Sequence, residues 1–355
     1  MKMRAARMYG YKQPLRLEEI DVPQIGPEEV LVKVGGAGMC RTDFQLIDGH
    51  FAGMELEFPV TLGHEVSGWI DGVGSQVPKS AGLSEGDQVV VFGSWGDGSC
   101  RQCHEGNEQM CGHVVWSGFA EHGGYQEYMP VHYRYLIKMP GGGDLSPENL
   151  APLTDAGLTP YRGIKKLRNS GHLTAGRTLA VSGIGGLGSY ATQYAKLLGG
   201  GADVVAFGRS DEKLKVALDN GADHVINVRD KDTDAIRAEL ENLTGRSELD
   251  AVIECSGAEE AIQLAFSLLA TEGAVASVGL MGQQAKVRLV DMVMREFTYF
   301  GSCWGNYNDL TEVLALAKAD KIKHTVTPVR FDDVNETLDA IGRGDVIGRA
   351  VIVYD

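Results

Sequence analysis

The chain contains 355 residues, of which 43% are hydrophobic and 23% are charged, and this composition is typical of a globular protein long enough for two domains. Its formal charge of −15 opposes binding to phosphate backbones, so we expect neither nucleic acid nor an anionic membrane as a partner. No apolar run reaches about 18 residues, and the basic N-terminus lacks an apolar segment, so the sequence predicts no transmembrane helix, no signal peptide and a cytoplasmic location.

Short β-branched segments that end in glycine dominate the N-terminal part of the chain. Three of them read EEVLVKVGGAG, HEVSGWIDGVG and GDQVVVFGSWG, which is the pattern of strands that end in turns. The pattern changes after Pro152. From Thr178 onward, strands such as TLAVSG, DVVAFG, HVINV and LDAVIECSG alternate with helices such as SYATQYAKLLG, DEKLKVALDNG and EEAIQLAFSLLA. This alternation predicts a parallel sheet of βαβ units with helices on both faces.

The C-terminal segment returns to mixed helix and strand and ends in GRAVIVYD. The sequence therefore predicts an α/β protein with two domains. Residues 1–155 and 304–355 are expected to form a β-rich domain, and residues 156–303 an inserted, doubly wound parallel-sheet domain.

A glycine-rich turn, SGIGGLGSY, follows the first strand of the inserted domain and opens a helix. Alone it is a weak signal, because ordinary turns are also rich in glycine. A strand before it, a helix after it and a second strand beyond indicate the dinucleotide fingerprint of a Rossmann domain. Such glycines let the backbone approach a pyrophosphate at the helix N-terminus. The residues predicted to contact the cofactor are Gly183, Gly185, Gly186, Leu187 and Gly188.

The end of the second strand, DVVAFG, bears on the choice of cofactor. An NAD site usually carries Asp or Glu there to bind the ribose 2′-OH, but this chain has Gly208, Arg209 and Ser210. Asp203 lies at the start of the strand and Asp211 opens the next helix. A glycine leaves room for a 2′-phosphate, and arginine and serine can donate to it, so NADP(H) is expected in preference to NAD(H). The alternative is that Arg209 is a solvated loop residue in an NAD-linked or dual-cofactor enzyme.

A cysteine cluster lies in WGDGSCRQCHEGNEQMC, in the pattern C-x2-C-x7-C: Cys100, Cys103 and Cys111. Such a cluster indicates a metal site in a reducing compartment and not a disulfide framework. A structural zinc site needs four protein ligands. The same three-residue step upstream reaches Asp97, whereas His104 and Glu108 are rival ligands that break the spacing. An empty site is the remaining alternative.

Several motifs in one order resemble the zinc-dependent medium-chain dehydrogenase/reductase family, close to its bacterial and archaeal secondary-alcohol dehydrogenases. They are GMCRTDF, TLGHEVSG, the cysteine cluster, PLTDAGLTPY, the glycine turn and the terminal IGRAVIV, and they span essentially the whole chain. The resemblance implies a Rossmann sheet inserted into a β-rich, GroES-like catalytic domain. Relatives carry four cysteines in the cluster, and Asp97 stands in place of the first, which implies a structural zinc.

The resemblance also implies a catalytic zinc held by Cys40, His64 and Asp155, with Glu65 adjoining the metal and exchanging with water as a ligand. Some relatives carry cysteine in place of Asp155. Three protein ligands leave a fourth position for a substrate oxygen, which the metal can polarise. Taken singly, these residues have ordinary readings as a buried cysteine or a surface His-Glu pair. Together they predict a second zinc, and thus two per chain.

Further roles follow from the same resemblance. Asp43 is expected to hydrogen-bond the histidine ligand and fix its tautomer, and the Thr42 hydroxyl to carry a proton from the substrate oxygen. Some relatives complete this relay with a histidine where the chain has Gln45, so water is the expected exit and His50 a weaker candidate. Arg349 is expected to pair with the cofactor pyrophosphate; its alternative is a solvated surface arginine.

Two tryptophans, Trp95 and Trp304, are expected to line an apolar substrate pocket, although core or interface packing explains them nearly as well. By resemblance, the segment FTYFGSCW is expected to pair between subunits in a homotetramer or homodimer.

The leading prediction of function is an alcohol dehydrogenase or carbonyl reductase that transfers a hydride between NADP(H) and a secondary alcohol, ketone or aldehyde. A polyol dehydrogenase with NAD(H) is the nearest alternative. A zinc-free quinone or enoyl reductase would lack the predicted ligands, and a non-catalytic zinc- and nucleotide-binding protein would have no use for the predicted proton carrier.

Overall fold

The computed structural model describes residues 1–54, 56–139 and 145–354. The chain forms two compact units, which we call unit 1 and unit 2. Unit 1 comprises Met1–Asp155, Asn306–Ala319 and His324–Asp355, and unit 2 comprises Ala156–Gly305 and Asp320–Lys323.

The described residues contain strands and helices in both units. The strands are β1 Lys2–Met8, β2 Arg16–Asp21, β3 Glu29–Met39, β4 Val60–Thr61, β5 Glu65–Val73, β6 Gln88–Val91, β7 Ser94–Trp95, β8 Val115–Trp116, β9 Tyr128–His132, β10 Leu136–Lys138, β11 Thr178–Ser182, β12 Asp203–Gly208, β13 His224–Asn227, β14 Leu249–Glu254, β15 Leu269–Ser277, β16 Thr298–Gly301, β17 Val326–Val329 and β18 Arg349–Val353. The α-helices are α1 Arg41–Asp48, α2 Arg101–His104, α3 Pro147–Leu150, α4 Leu158–Asn169, α5 Gly186–Leu198, α6 Asp211–Asp219, α7 Thr233–Thr244, α8 Glu259–Leu268, α9 Leu289–Met294, α10 Tyr307–Lys318 and α11 Val334–Arg343.

Unit 1 is built on a seven-stranded sheet in the order β10-β6-β5-β3-β18-β17, with β9 also paired to β3. The alternation of β3 explains its place in this sheet, because Val30, Val32 and Val34 point into the core while the residues between them are less buried. A three-stranded sheet β2-β1-β4 and the short pair β7-β8 complete the unit. The C-terminal strand β18 pairs antiparallel with β3, so the C-terminal segment completes a sheet that the N-terminal part of the chain begins.

Unit 2 contains a six-stranded sheet in the order β13-β12-β11-β14-β15-β16, in which every neighbouring pair is parallel. Numbered within the unit, this is the order 3-2-1-4-5-6 of the dinucleotide-binding fold. The central strands β11 and β14 are buried along their whole length, as expected for strands covered by helices on both faces. The structure therefore confirms the predicted combination of a doubly wound parallel sheet with a β-rich domain.

Within residues 1–54, 56–139 and 145–354, we find no helix with both the length and the apolar character that crossing a bilayer requires.

Candidate active site and metal centres

Three candidate metal ligands from separate parts of unit 1 meet in the folded chain. Cys40 follows the end of β3, His64 precedes β5, and Asp155 follows a short 3-10 turn at Ala151–Thr154. The Asp155 Oδ2 atom lies 3.7 Å from Cys40 Sγ and 3.6 Å from His64 Nε2. Cys40 and His64 are buried, and the side chain of Asp155 is 13% exposed. The fold thus gathers one sulfur, one nitrogen and one oxygen donor at a single point.

The spacing of these donors suits zinc. Tetrahedral bonds of about 2.0–2.3 Å to nitrogen, oxygen and sulfur place neighbouring ligand atoms about 3.3–3.8 Å apart. The two measured separations fall in this range without any rearrangement. Three protein donors leave the fourth tetrahedral position open, which is the arrangement of a catalytic site and not of a structural one.

The buried carboxylate of Asp43 contacts two of these ligands. Asp43 is fully buried in the first turn of α1, and its Oδ1 atom lies 3.2 Å from His64 Nδ1. Its Oδ2 atom accepts hydrogen bonds of 2.8 Å from the Cys40 backbone N–H and the Tyr125 hydroxyl. Contact through Nδ1 leaves Nε2 of His64 facing the ligand cluster, which is the orientation that a metal at Nε2 requires.

Arg349 lies in the same cluster. It begins β18, whose pairing with β3 sets Ala350 opposite Met39. Its Nη2 atom lies 2.9 Å from Glu65 Oε1 and 3.4 Å from Asp155 Oδ2, and the residue is only 6% exposed. The alternative of a solvated surface arginine is therefore wrong, because the guanidinium is buried between strand β18 and the carboxylates that it contacts. Its pairing with a cofactor pyrophosphate stays a prediction.

The charges of this cluster favour a thiolate. Burial opposes ionisation of Cys40, but the guanidinium of Arg349 and the imidazole of His64 outweigh it and lower the pKa of the thiol. Burial also disfavours the charged form of Arg349, yet Cys40, Glu65 and Asp155 raise its pKa further above the ordinary value. The guanidinium therefore remains charged beside the ligands.

The predicted proton carrier lies beside the cluster. Thr42 Oγ1 is 3.5 Å from Cys40 Sγ, in the first turn of α1. Gln45 is buried one turn further along the helix, and its amide does not titrate. His50 is exposed beyond the helix end, where its ring packs edge-on against Phe51.

A second donor cluster forms from residues that are close in sequence: Asp97, Cys100, Cys103 and Cys111. The Cys103 Sγ atom lies 3.5 Å from both Cys100 Sγ and Asp97 Oδ1. The backbone N–H groups of Ser99 and Cys100 donate to Asp97 and lower the pKa of its carboxyl to about 2. The carboxylate is therefore ionised and points at the thiols, as a fourth zinc ligand must.

The glycine turn of unit 2 has the geometry of a dinucleotide loop. Gly185 caps α5, and a Cβ on it would meet nothing within 4 Å, so the space where a pyrophosphate would lie is clear. At Gly188 a Cβ would instead collide with the carbonyl oxygen of Gly183, because helix and strand approach closely there. The backbone of the turn therefore has the clear space and the close helix–strand approach that dinucleotide binding requires.

The residues predicted to select the cofactor follow β12. Gly208 ends this strand and is buried, Arg209 is exposed, and Ser210 precedes α6. Asp211 is occupied by a hydrogen bond from the Asn227 side-chain amide, 2.6 Å from its Oδ1 atom. The arginine thus stands at the strand end where an NAD site usually carries a carboxylate.

Two family models match the chain. The alcohol dehydrogenase GroES-like domain matches residues 26–141, and the zinc-binding dehydrogenase domain matches residues 186–319, which together cover more than half of the chain. The chain belongs to the zinc-dependent medium-chain dehydrogenase family. The resemblance inferred from the sequence is confirmed, and this dehydrogenase is an oxidoreductase of the zinc-type alcohol dehydrogenase class.

Relatives of this dehydrogenase match it from end to end. D-arabinose 1-dehydrogenase (NADP(+)) of Saccharolobus solfataricus is 36% identical over 99% of the chain and 98% of its own length. An NAD-dependent alcohol dehydrogenase of Sulfurisphaera tokodaii is 35% identical over 99% of the chain and 100% of its own length. The crystal structure of the alcohol dehydrogenase from Aeropyrum pernix has a TM-score of 0.91 and 34% identity, covering 99% of this chain and 100% of that one. Because both cofactors occur among these names, family membership alone does not select between them.

Trp95 and Trp304, the tryptophans predicted to line the substrate pocket, lie in different units. In unit 1, Trp95 Nε1 donates to the Phe92 carbonyl at 2.8 Å, and its ring stacks on Tyr135 with the centroids 5.6 Å apart. In unit 2, Trp304 is 8% exposed. Packing thus accounts for much of both side chains, and their role in a substrate pocket stays a prediction.

Sequence reasoning missed two features of the metal site. The ion pairs of Arg349 with Glu65 and Asp155 join residues that are far apart in the chain, although the terminal Gly-Arg motif had marked the arginine. No sequence pattern indicated the hydrogen bond from the Tyr125 hydroxyl to Asp43, because a tyrosine in a β-rich segment predicts only a buried ring.

Proposed function

We propose that this dehydrogenase transfers a hydride between NADP(H) and a secondary alcohol or ketone, acting as an alcohol dehydrogenase or carbonyl reductase. The observation that carries the proposal is the cluster of three donors, Cys40, His64 and Asp155, which would leave one position of a tetrahedral zinc ion for a substrate oxygen. A zinc ion bound there would polarise the substrate oxygen and stabilise the negative charge that hydride transfer creates.

Side chains of unit 1 would prepare this chemistry. Asp43 holds the imidazole of His64 so that Nε2 faces the metal position. Thr42, whose hydroxyl lies beside Cys40, would exchange a proton with the substrate oxygen. Because Gln45 cannot titrate, water would complete the proton path. Glu65 adjoins the ligands, and it would have to leave its ion pair with Arg349 to exchange with water as a ligand.

The preference for NADP(H) rests on charge at the end of β12. Gly208, Arg209 and Ser210 offer space, a guanidinium and a hydroxyl to a 2′-phosphate, while Asp211 is engaged by Asn227. The pyrophosphate would lie at the N-terminus of α5.

A sugar or polyol dehydrogenase is the second candidate. The relative at 36% identity is named D-arabinose 1-dehydrogenase, so an enzyme of this family and length oxidises a polyhydroxylated substrate. Fold does not decide between these substrates, because the pocket and not the scaffold selects them.

An initial-rate screen tests both candidates. Simple secondary alcohols and ketones, polyols and aldoses would each be assayed with NADP(H) and NAD(H) at equal concentrations. We expect secondary alcohols or ketones to react fastest, with NADP(H) favoured about tenfold or more. Faster turnover of D-arabinose or a polyol would select the second candidate, and a wide advantage for NAD(H) would contradict our interpretation of Arg209.

We further propose that Asp97, Cys100, Cys103 and Cys111 hold a structural zinc. Replacing Asp97 by alanine should reduce the zinc content from about two ions per chain to about one and lower the Tm, because a three-ligand site is no longer closed. Asp97→Cys is the matched control, since it supplies a fourth thiolate and should retain the metal. Elemental analysis with thermal unfolding measures both effects. Full zinc retention in Asp97→Ala would show that another group completes the site.

The assembly is proposed to be a homotetramer or homodimer in the cytoplasm, with β16 as a subunit contact. This strand is an edge of the unit 2 sheet, and Tyr299 on it is 48% exposed. The six cysteines carry no disulfide, in keeping with a reducing compartment. Size-exclusion chromatography with light scattering would determine the number of subunits.

A further inference from the structure

Tyr125 touches the metal site through a residue that is not itself a ligand. The side chain is fully buried in unit 1, and its hydroxyl donates to Asp43 Oδ2 at 2.8 Å. The same oxygen accepts the Cys40 backbone N–H at 2.8 Å, and the other carboxylate oxygen faces His64. One carboxylate therefore links this tyrosine to two of the three proposed ligands.

The Asp43 carboxylate depends on these donors. Its exposure is zero, so water cannot solvate its charge, and a buried carboxylate is stable only where hydrogen bonds replace hydration. Removing the hydroxyl would leave Oδ2 with the Cys40 N–H as its remaining donor in this structure. Burial raises the pKa of Tyr125 well above its ordinary value, so the hydroxyl keeps its proton and remains a donor.

The ring of Tyr125 has a separate contact with the segment that carries His64. Gly63 has a φ of +96°, and a Cβ on it would collide with Cδ1 of the tyrosine. The Tyr125 backbone N–H also donates to the Leu62 carbonyl at 2.9 Å. The ring thus packs against the residue before His64 in the chain, and the hydroxyl contacts the carboxylate that faces its imidazole.

We propose that Tyr125 is a positioning residue for the catalytic metal, whose hydroxyl holds Asp43 in the rotamer that orients His64 and Cys40. This inference rests on the proposed function, because it presupposes that Cys40, His64 and Asp155 bind zinc. The competing explanation is that the tyrosine only fills the core. The two explanations separate at the hydroxyl, since phenylalanine preserves the ring and its packing.

The test measures metal release from Tyr125→Phe. Zinc leaving the protein is followed with 4-(2-pyridylazo)resorcinol, and the cobalt-substituted protein is examined by visible absorption. We expect zinc to leave the catalytic site about tenfold faster than in the wild type, with a changed cobalt spectrum, because partners of metal ligands typically alter metal affinity by about 10–100-fold. Zinc at the Asp97 cluster should leave at the wild-type rate, which also reports that the variant is folded.

Tyr354→Phe is the matched control. Tyr354 is also a buried tyrosine, and its hydroxyl donates to the Gly124 carbonyl at 2.9 Å. Gly124 immediately precedes Tyr125 in the chain, but this hydrogen bond does not involve Asp43. Its loss should leave both release rates unchanged. In the Asp43→Ala background, which removes the acceptor of the hydroxyl, the further change Tyr125→Phe should add nothing, because the hydroxyl acts through the carboxylate.

Three outcomes would overturn the inference. Wild-type release and an unchanged cobalt spectrum in Tyr125→Phe would show that the hydroxyl does not position the ligands. Equal acceleration in Tyr125→Phe and Tyr354→Phe would indicate general loosening of the core. Wild-type protein that holds only the zinc of the Asp97 cluster would refute the proposed function and this inference together, whereas the first two outcomes leave the proposed function intact.

Discussion

Replacing Cys40 by serine is expected to lower kcat/KM about a thousand-fold while leaving NADPH binding nearly unchanged. The thiolate is the sulfur donor of the three-ligand cluster, and serine is neither ionised at neutral pH nor long enough to match a zinc–sulfur bond. Loss of the Lewis acid removes several kcal/mol of transition-state stabilisation, and each 1.4 kcal/mol or so is a factor of ten in rate. The dinucleotide loop belongs to unit 2 and does not depend on this cluster.

Steady-state kinetics and NADPH fluorescence titration measure the two effects separately. Cys303→Ser is the matched control, since Cys303 is exposed and lies outside both donor clusters. His64→Ala should reproduce the loss of turnover through the nitrogen donor. Turnover that survives either ligand substitution would show that the cluster does not hold a catalytic metal.

Replacing Arg209 by alanine is expected to raise the KM for NADPH about 10–100-fold and to change the KM for NADH little. A charge-assisted hydrogen bond to a phosphate contributes about 1.5–3 kcal/mol, which corresponds to this range. NADH has no 2′-phosphate, so it loses no such contact. The ratio of kcat/KM between the two cofactors is the measurement.

Lys215→Ala is the control for long-range charge, because this exposed lysine lies on the following helix, α6. It should shift both cofactors equally and weakly. The reverse design, Gly208→Asp, is a poorer test, since a Cβ there would approach Leu214 Cδ2 to 2.9 Å and disturb the helix. Unchanged NADPH kinetics in Arg209→Ala would show that the arginine is a solvated loop residue with no part in cofactor selection.

The fold was largely predictable because its signals are local. β11 and β14 are buried along their whole length and contain the apolar runs 179–181 and 251–253, and the alternation of β3 is visible in its valines. Glycines mark the turn between β11 and α5, and Gly188 is required there because a Cβ on it would collide with the carbonyl oxygen of Gly183. Local sequence also marked the second metal cluster, whose four donors lie within fifteen residues of one another or so.

The candidate active site was only partly predictable, because its parts come from distant segments. The family resemblance indicated that Cys40, His64 and Asp155 form one site. Their spacing in the sequence does not indicate how close they lie in the folded chain. The resemblance predicts that Arg349 pairs with the cofactor pyrophosphate, which stays a prediction, and only the structure shows its guanidinium against Glu65 and Asp155.

The sequence by itself indicated the two-part fold, the glycine turn and the Asp97 cluster, since these depend on residue type and short-range spacing. The class of protein and the donor set of Cys40, His64 and Asp155 came from the family resemblance. Only the tertiary structure decided which polar groups surround the donors. The Tyr125 hydroxyl reaches Asp43 across 82 positions of chain, because the fold sets the segment before β9 against the first turn of α1. Burial then makes such a contact matter, because a carboxylate removed from water depends on every donor that the fold supplies.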